Sequence, residues 1–343
     1  MGFWDKFSTD IGIDLGTCNT LIYERGKGIV INEPSVIAVE RGNKEVVAVG
    51  AEAKRMLYKT PGNIIAIRPL ADGVIADMDG TEKMIRYFIS KIKKKRQLIK
   101  SMRMKIGVPT CITEVEKRAV LEAAAKAGAK QADVIAESLA AAIGAGIPIH
   151  EPAGHMVCDI GGGTTEVSVI SLGGMVVTSA IRIGGDEFDE AIIKHVRNIH
   201  SIEIGQETAE RIKIEIGNVA PDKENGKIGI RGRDAVTGLP HEIVIDSVEV
   251  TEALKDPITQ IIDEIKRTLG KTPPELAADI FERGIVMTGG GSLLKGLPTL
   301  VRQETGVPVI LVEQPLECVA VGAGLAFDLF KDMSSDRSIY DNL

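Results

Sequence analysis

Aromatic residues make up only 3% of this 343-residue chain. With so few large rings, a buried interior has to be assembled from Val, Ile, Leu and Ala, the side chains that fill strands covered on both faces and the helices covering them. That favours an α/β architecture. Cysteine is sparse too. Cys18, Cys111, Cys158 and Cys318 are far apart and form no CxxC pair, which leaves no pattern for a zinc site or a disulfide framework and suits a reducing cytoplasm. No apolar run reaches the ~18 residues of a membrane span, and the first residues lack the basic start and long apolar core of a signal peptide. A cytoplasmic protein is therefore expected. An excess of positive charge is missing as well: the net charge of −7 gives no basic surface to displace counterions, so no nucleic-acid partner is expected.

Several chemical signatures are also absent. No GxxxxGKS/T loop is present, and no GxGxxG opens a dinucleotide-binding unit. His150, His155, His195, His200 and His241 have no metal-ligand spacing, and no Ser, His and Asp set suggests a hydrolase triad. What remains is a chain with 44% hydrophobic and 26% charged residues, a soluble globular composition. Its length exceeds one ordinary core of roughly 100 to 200 residues, so about two domains are expected.

The main internal signal is a repeat. A short apolar run at residues 11–14 ends in Asp14 and a glycine turn carrying Thr17, Cys18 and Asn19, followed by a β-rich run at 21–23. The same design recurs at 156–159, ending in Asp159, then Gly161, Gly162, Gly163 and Thr164, then a run at 167–170. The two aspartates are 145 residues apart, about one domain, so the chain reads as a duplicated unit. A second echo links ESLAAAIGAG at 137–146 with ECVAVGAG at 317–324; these small-residue helices suit either a hinge between the halves or plain tight helix packing. Residues 114–128, 186–199 and 208–216 read as helices, with Val115, Ala119, Leu121 and Ala125 as the apolar positions of the first. Residues 228–230 and 242–245 read as strands, and the tail from Ser334 is polar.

Glycine lets backbone N–H groups approach phosphate oxygens, and neighbouring Thr or Asn side chains add donors. One such turn is equally a plain hairpin; two at domain spacing suggest a phosphate clamp. Asp14 and Asp159, at the strand ends, suit magnesium held largely through water. A third cluster, Gly289, Gly290, Gly291 and Ser292, follows another apolar strand and offers a flat backbone for an adenine or ribose, or a simple strand-to-helix turn.

These segments, DLGTCNT at 14–20, CDIGGGTTEVSVIS at 158–171 and VMTGGGSLLKGL at 286–297, resemble the actin, Hsp70 and sugar-kinase superfamily. Within it, RPLADGVIADMDGTEKMI at 68–85, PTCITEVEKRAV at 109–120 and ETAERIKIEIG at 207–217 make the chain similar to the MreB family of bacterial actin-like proteins, over residues 11–330. The resemblance implies a duplicated actin-like, ribonuclease H-like α/β fold around a nucleotide cleft. It divides the chain into a first half at 1–148 with a small lobe at 32–67, a second half at 149–330 with a small lobe at 181–244, and a tail at 331–343 returning to the first half. It implies ATP and Mg2+ as ligands, with Thr17, Cys18, Asn19, Gly161, Gly162 and Gly163 on the phosphates. Glu210, Arg211, Ile212, Lys213 and Gly289 to Ser292 fall on the adenosine side. Glu210 and Lys213, three apart on a helix, would equally make an exposed ion pair.

Glu137 aligns with the family's water-positioning acid and Thr164 with a hydroxyl that helps hold that water. Without the resemblance, Glu137 reads as a helix-start carboxylate. Many members have Glu-Glu-Pro where this chain has Ala136-Glu137-Ser138, and Ala is common at the position of Cys18. A small-molecule kinase and a chaperone are the rival readings; the length leaves little room for the large insertions of the former or the peptide-binding domain of the latter. The family reading further implies a homopolymer of paired protofilaments, slow ATP hydrolysis, attachment to the inner face of the cell membrane, and partners among membrane proteins of the cell-wall elongation machinery. For attachment, Phe3, Trp4 and Phe7 share a helical face beside Lys6, although they suit packing onto the first domain too. Leu98, Ile99 and Met102 beside the basic stretch 93–100 offer a second apolar contact.

Overall fold

The computed structural model describes residues 8–71, 73–94, 101–220 and 226–333. The N-terminal aromatic segment, most of the basic stretch with Leu98 and Ile99, and the tail from Ser334 therefore lie outside the described residues.

The chain divides into two compact units: the described parts of Met1–Ile149 with Leu316–Leu343, and His150–Pro315. In the first unit, β1 (Ser8–Leu15), β2 (Asn19–Glu24) and β3 (Gly28–Pro34) form a meander. β4 (Ile37–Glu40), β5 (Val46–Val49), helix α1 (Ala51–Lys54) and β6 (Ile64–Ile67) follow. Next come the short pair β7 (Leu70–Ala71) and β8 (Val74–Ile75), then α2 (Met78–Lys94), β9 (Ser101–Val108), α3 (Glu114–Lys126), β10 (Gln131–Ala136) and α4 (Glu137–Gly144). The second unit opens on a meander again: β11 (His155–Ile160), β12 (Thr165–Ser171) and β13 (Gly174–Ile181). It continues with α5 (Gly185–His200), β14 (Ile202–Glu203), α6 (Gln206–Ile216), β15 (Lys227–Asp234), β16 (Pro240–Asp246), α7 (Ser247–Lys271), α8 (Pro274–Arg283), β17 (Ile285–Thr288), α9 (Leu297–Thr305) and β18 (Val309–Leu311). Helix α10 (Cys318–Met333) comes last.

The duplication is written in the sheet orders. The main sheet of the first unit runs β10-β9-β1-β2-β3, and that of the second runs β18-β17-β11-β12-β13, with equivalent strands in equivalent places. In each, a meander supplies three antiparallel strands and two later strands join in parallel. Strand β11 is a continuous buried run with Met156, Val157, Cys158 and Ile160, as a strand covered on both faces requires, while β1 and β9 bury Ile11, Ile13, Met102, Met104 and Ile106 at alternate positions. Ile11, Ile13, Met104 and Ile106 pack with Phe88 of α2 in one core. Met156, Cys158, Val167 and Val169 pack with Phe188 of α5 and Ile261 of α7 in the other. The small sheets β5-β4-β6 and β14-β15-β16 stand apart from the main ones.

Three expectations change on contact with the fold. Helix α3 forms with a capping box on Thr113, but Val115 is 79% exposed and stands off its apolar face. Met102, read as a membrane contact, is 2% exposed in β9 and belongs to the first core, so it has no surface to offer a lipid. The second half, expected to run to residue 330, ends earlier. Helix α10 packs on β1 and α4, because its small residues leave room for backbone contact: a Cβ on Gly12 would lie 2.2 Å from the Ala320 carbonyl oxygen, and one on Gly322 only 1.8 Å from that of Ala140.

That last distance makes a prediction. Gly322→Ala has to push α10 and α4 apart, so a loss of about 3 kcal/mol of unfolding free energy is expected. Chemical denaturation measures it, and a wild-type midpoint would contradict the contact.

Candidate functional site

Parallel strands end together, and in open α/β sheets the ligand-binding chemistry gathers at their carboxyl ends. In the first unit, Asp14 near the end of β1 is in register with Gly107 of β9, and Gly107 with Ile135 of β10. Asp14, on β1, and Glu137, which follows β10 at the start of α4, therefore flank β9 at the same edge. A Cβ on Gly107 would lie only 2.7 Å from Val319 Cγ1 of α10, and at an ordinary contact distance of 3.4 Å from Glu137 Cγ, so glycine here makes room for α10 beside the carboxylate. Glu137 is 8% exposed and opens α4. Ser138, where the family pattern has Pro, is fully buried, and its hydroxyl meets that of Thr110 at 3.1 Å.

The turn after β1 is held from outside itself. Ser35, fully buried, donates to the Gly16 carbonyl at 2.6 Å, and its own N–H donates to the Cys18 carbonyl at 2.9 Å. The Gly73 N–H donates to Thr17 Oγ1 at 2.9 Å. Thr17 is buried, and Cys18 and Asn19 are half-buried. Sequence reasoning missed both supports. Gly73 sits inside the RPLADG segment and was within reach; Ser35 follows Pro34 with no local signal.

In the second unit the Gly161 N–H closes its turn on the Thr164 carbonyl at 2.8 Å. The first turn of α5 then grips the loop: the Gly185 N–H donates to the Gly161 carbonyl at 3.0 Å and the Asp186 N–H to the Gly162 carbonyl at 2.7 Å. With those carbonyls committed, the Gly162 and Gly163 N–H groups donate to nothing among the described residues. Backbone donors left free in a glycine turn are a geometry that suits an anion. Thr164 is half-buried at the end of this loop.

Asp159 mirrors Asp14 and is in register with Thr288, whose hydroxyl donates to its Oδ1 at 2.7 Å. Thr288 was another miss, though the duplication pointed to it, as the counterpart of Gly107. Burial pushes the Asp159 carboxyl up to about 6; Glu166 adds to the rise and the Thr288 hydrogen bond opposes it. The folded state then holds this proton more tightly than the unfolded chain does, so the stability it contributes at low pH is lost as pH rises through about 6. Without metal or nucleotide, Asp159→Asn is therefore expected to be about 1–3 kcal/mol more stable than the wild type at pH 7.5, with the gain shrinking towards pH 4. Urea titrations at the two pH values check it; equal stability at pH 7.5 would refute the burial cost.

The third glycine cluster has a steric reason for its composition. Gly289 has φ of 79°, and a Cβ there would stand 2.3 Å from the Ile160 carbonyl oxygen; one on Gly291 would meet Ile160 Cγ2 at the same distance. The turn at Gly290–Leu293 thus packs directly on the base of the Gly161 loop, and the fully buried Ser292 gives its hydroxyl to the Gly289 carbonyl at 2.6 Å. On α6, Ala209, Ile212 and Ile216 form the buried stripe. Ile212 is therefore core, and its side chain is removed from the expected ligand set. Arg211 is exposed, whereas Glu210 and Lys213 are half-buried.

The first unit thus gathers Asp14, Thr17, Cys18, Asn19 and Glu137 at one edge, and the second gathers Asp159, Gly161 to Thr164 and the Gly289 turn. Among the described residues no three His, Cys, Asp or Glu are placed to hold a metal ion. No helix among them is long and apolar enough to cross a membrane.

A family model described as MreB/Mbl protein matches residues 8–335. The cell shape-determining protein MreB of Escherichia coli K12 is 52% identical over 331 residues, covering 95% of each chain. The cell shape-determining protein Mbl of Bacillus subtilis 168 is 51% identical over 322 residues, covering 94% of this chain and 96% of its own. Among solved structures, MreB5 of Spiroplasma citri bound to ADP superposes with a TM-score of 0.89 at 36% identity, covering 96% of this chain and 98% of that one. Its AMPPNP-bound form gives the same TM-score at 37% identity, covering 95% of this chain and 98% of that one.

Proposed function

Because the chain belongs to the MreB/Mbl family, we propose that it is an ATP-dependent actin-like cytoskeletal filament protein that organises cell-wall synthesis and maintains rod shape. The observation that carries this is the Gly161 loop, whose carbonyls are held by α5 while the Gly162 and Gly163 N–H groups have no acceptor among the described residues. The nucleotide complexes of MreB5 support the same reading.

In this reading the triphosphate takes backbone donors from the Thr17 and Gly162 turns, and Asp14 and Asp159 hold magnesium through its waters. Glu137 and Thr164 orient the attacking water. Positioning and charge stabilisation do most of the work in phosphoryl transfer, and a buried carboxylate on the rigid start of a helix suits that role. Glu210 and the backbone of the Gly289 turn take the nucleoside. ATP favours the subunit conformation that adds to a filament, and hydrolysis weakens that preference, since a ligand shifts an equilibrium by its differential affinity for the two states.

The closely packed α4 and α10 stand beside the points where the chain leaves the first unit, after Ile149, and returns to it, at Leu316. Both helices belong to the first unit, so their close contact is the tight helix packing that the small residues also suited. Membrane attachment through Phe3, Trp4 and Phe7, with Lys6 toward anionic lipid, gains strength from the many copies a filament displays. The proposed partners are further copies of the chain, the inner membrane surface and membrane proteins of the elongation machinery.

Electron microscopy of the purified protein with ATP, with ADP and without nucleotide tests the core of the proposal: filaments are expected with ATP, and none under any nucleotide or lipid condition would defeat it. Liposome co-sedimentation tests attachment. ATP-dependent pelleting should fall when Trp4 and Phe7 become Ser, and undiminished binding by that folded, polymer-competent variant would remove these residues from the anchor.

A further inference from the structure

Lys213 was expected to contact the nucleotide, yet its ammonium is already engaged inside the second unit. It lies 2.8 Å from Asp189 Oδ1 and donates to the Gly185 carbonyl at 2.7 Å. Asp189 is 3% exposed, and the ammonium is the one partner of that oxygen among the described residues. An ion pair buried this way is a poor source of stability, because desolvating both charges consumes most of what their attraction returns; an apolar pair of similar volume commonly does as well or better. A positional role is the alternative, and the surrounding bonds supply one.

Gly185 is the residue whose N–H holds the Gly161 carbonyl, and its neighbour Asp186 holds the Gly162 carbonyl. Lys213 thus reaches from α6 to the carbonyl of the same peptide segment that grips the loop from α5. Room for this is provided by bare backbone: a Cβ on Gly184 would lie 2.7 Å from the Gly161 and Gly162 carbonyl oxygens. Gln206 adds a second tie from α6, donating to Asp186 Oδ1 at 3.2 Å.

We infer that Asp189 is a positioning residue for phosphate binding: it fixes the Lys213 ammonium on Gly185, and the first turn of α5 so held sets the Gly161–Gly163 loop for the phosphates. The inference rests on the nucleotide reading above and extends it to a residue one turn further along α5 than the segment that grips the loop. Lys213 in this arrangement joins the nucleoside side of the site to its phosphate side, with two of its three donors committed internally.

The test compares ATP and AMP, measured by competition against a labelled nucleotide with the full-length protein, since only the longer phosphate chain engages the loop fully. Asp189→Asn and Lys213→Met are each expected to weaken ATP about tenfold, a cost of about 1.4 kcal/mol, while AMP changes less than twofold. Combining them should be no worse than Lys213→Met alone, because both break one linkage. If Lys213 acted only as an independent ligand, Asp189→Asn would free it and leave ATP affinity intact or improved. That result overturns the inference, as do additive losses or an equal loss of AMP. The apolar pair Asp189→Leu with Lys213→Met keeps the volume and separates position from stability. It should melt at or above the wild-type temperature and still bind ATP weakly, and a pair that loses both melting temperature and ATP marks a plain fold element and overturns the inference. Wild-type protein that binds neither ATP nor ADP would instead defeat the nucleotide reading itself.

Discussion

Gly162→Val is expected to abolish nucleotide binding and filament assembly together. The side chain would stand among the backbone donors that face the phosphates, and Val also restricts the backbone of a turn whose carbonyl must still meet the Asp186 N–H at 2.7 Å. Loss of two donors to a multiply charged phosphate, at about 1.5–3 kcal/mol for each charge-assisted bond, corresponds to a fall in affinity of roughly 100-fold or more. Equilibrium binding of ATP and sedimentation of polymer measure the two effects on one preparation. Polymer that persists without measurable nucleotide binding would show that assembly runs independently of ATP.

Glu137→Ala should separate what Gly162→Val joins. In the proposed reading the carboxylate orients the attacking water, so phosphate release is expected to slow by about 100-fold or more while ATP affinity stays within a few fold. Filaments should still form with ATP and persist longer. Unchanged turnover would remove Glu137 from the chemistry, and loss of binding would make it a structural carboxylate at the start of α4.

The parts of this molecule legible in the sequence are those written locally and twice. Each Asp-to-glycine turn combines a buried strand, a carboxylate and a permissive backbone within about ten residues, and its recurrence exposes the duplicated sheet order. The buried Ile212 side chain and Met102 both sit on readable patterns: Ala209, Ile212 and Ile216 follow one helical stripe, and Met102, Met104 and Ile106 alternate inward along β9. A family motif and a charged neighbourhood outweighed those patterns. Ser35, Gly73, Thr288 and Asp189 were missed for another reason. Each acts on a group 19 to 129 positions away, through bonds that only the folded chain creates.

The first unit is assembled from two separate stretches of chain, whereas the second is one continuous stretch, His150–Pro315. Domains fold as units, usually in the order in which they leave the ribosome. Here the order of completion is reversed. The second unit has all its strands once Pro315 has been synthesised, while the first, begun earlier, waits for the helix that covers Gly12 and Ala140. A nascent chain therefore displays an unfinished first unit until α10 (Cys318–Met333) has emerged.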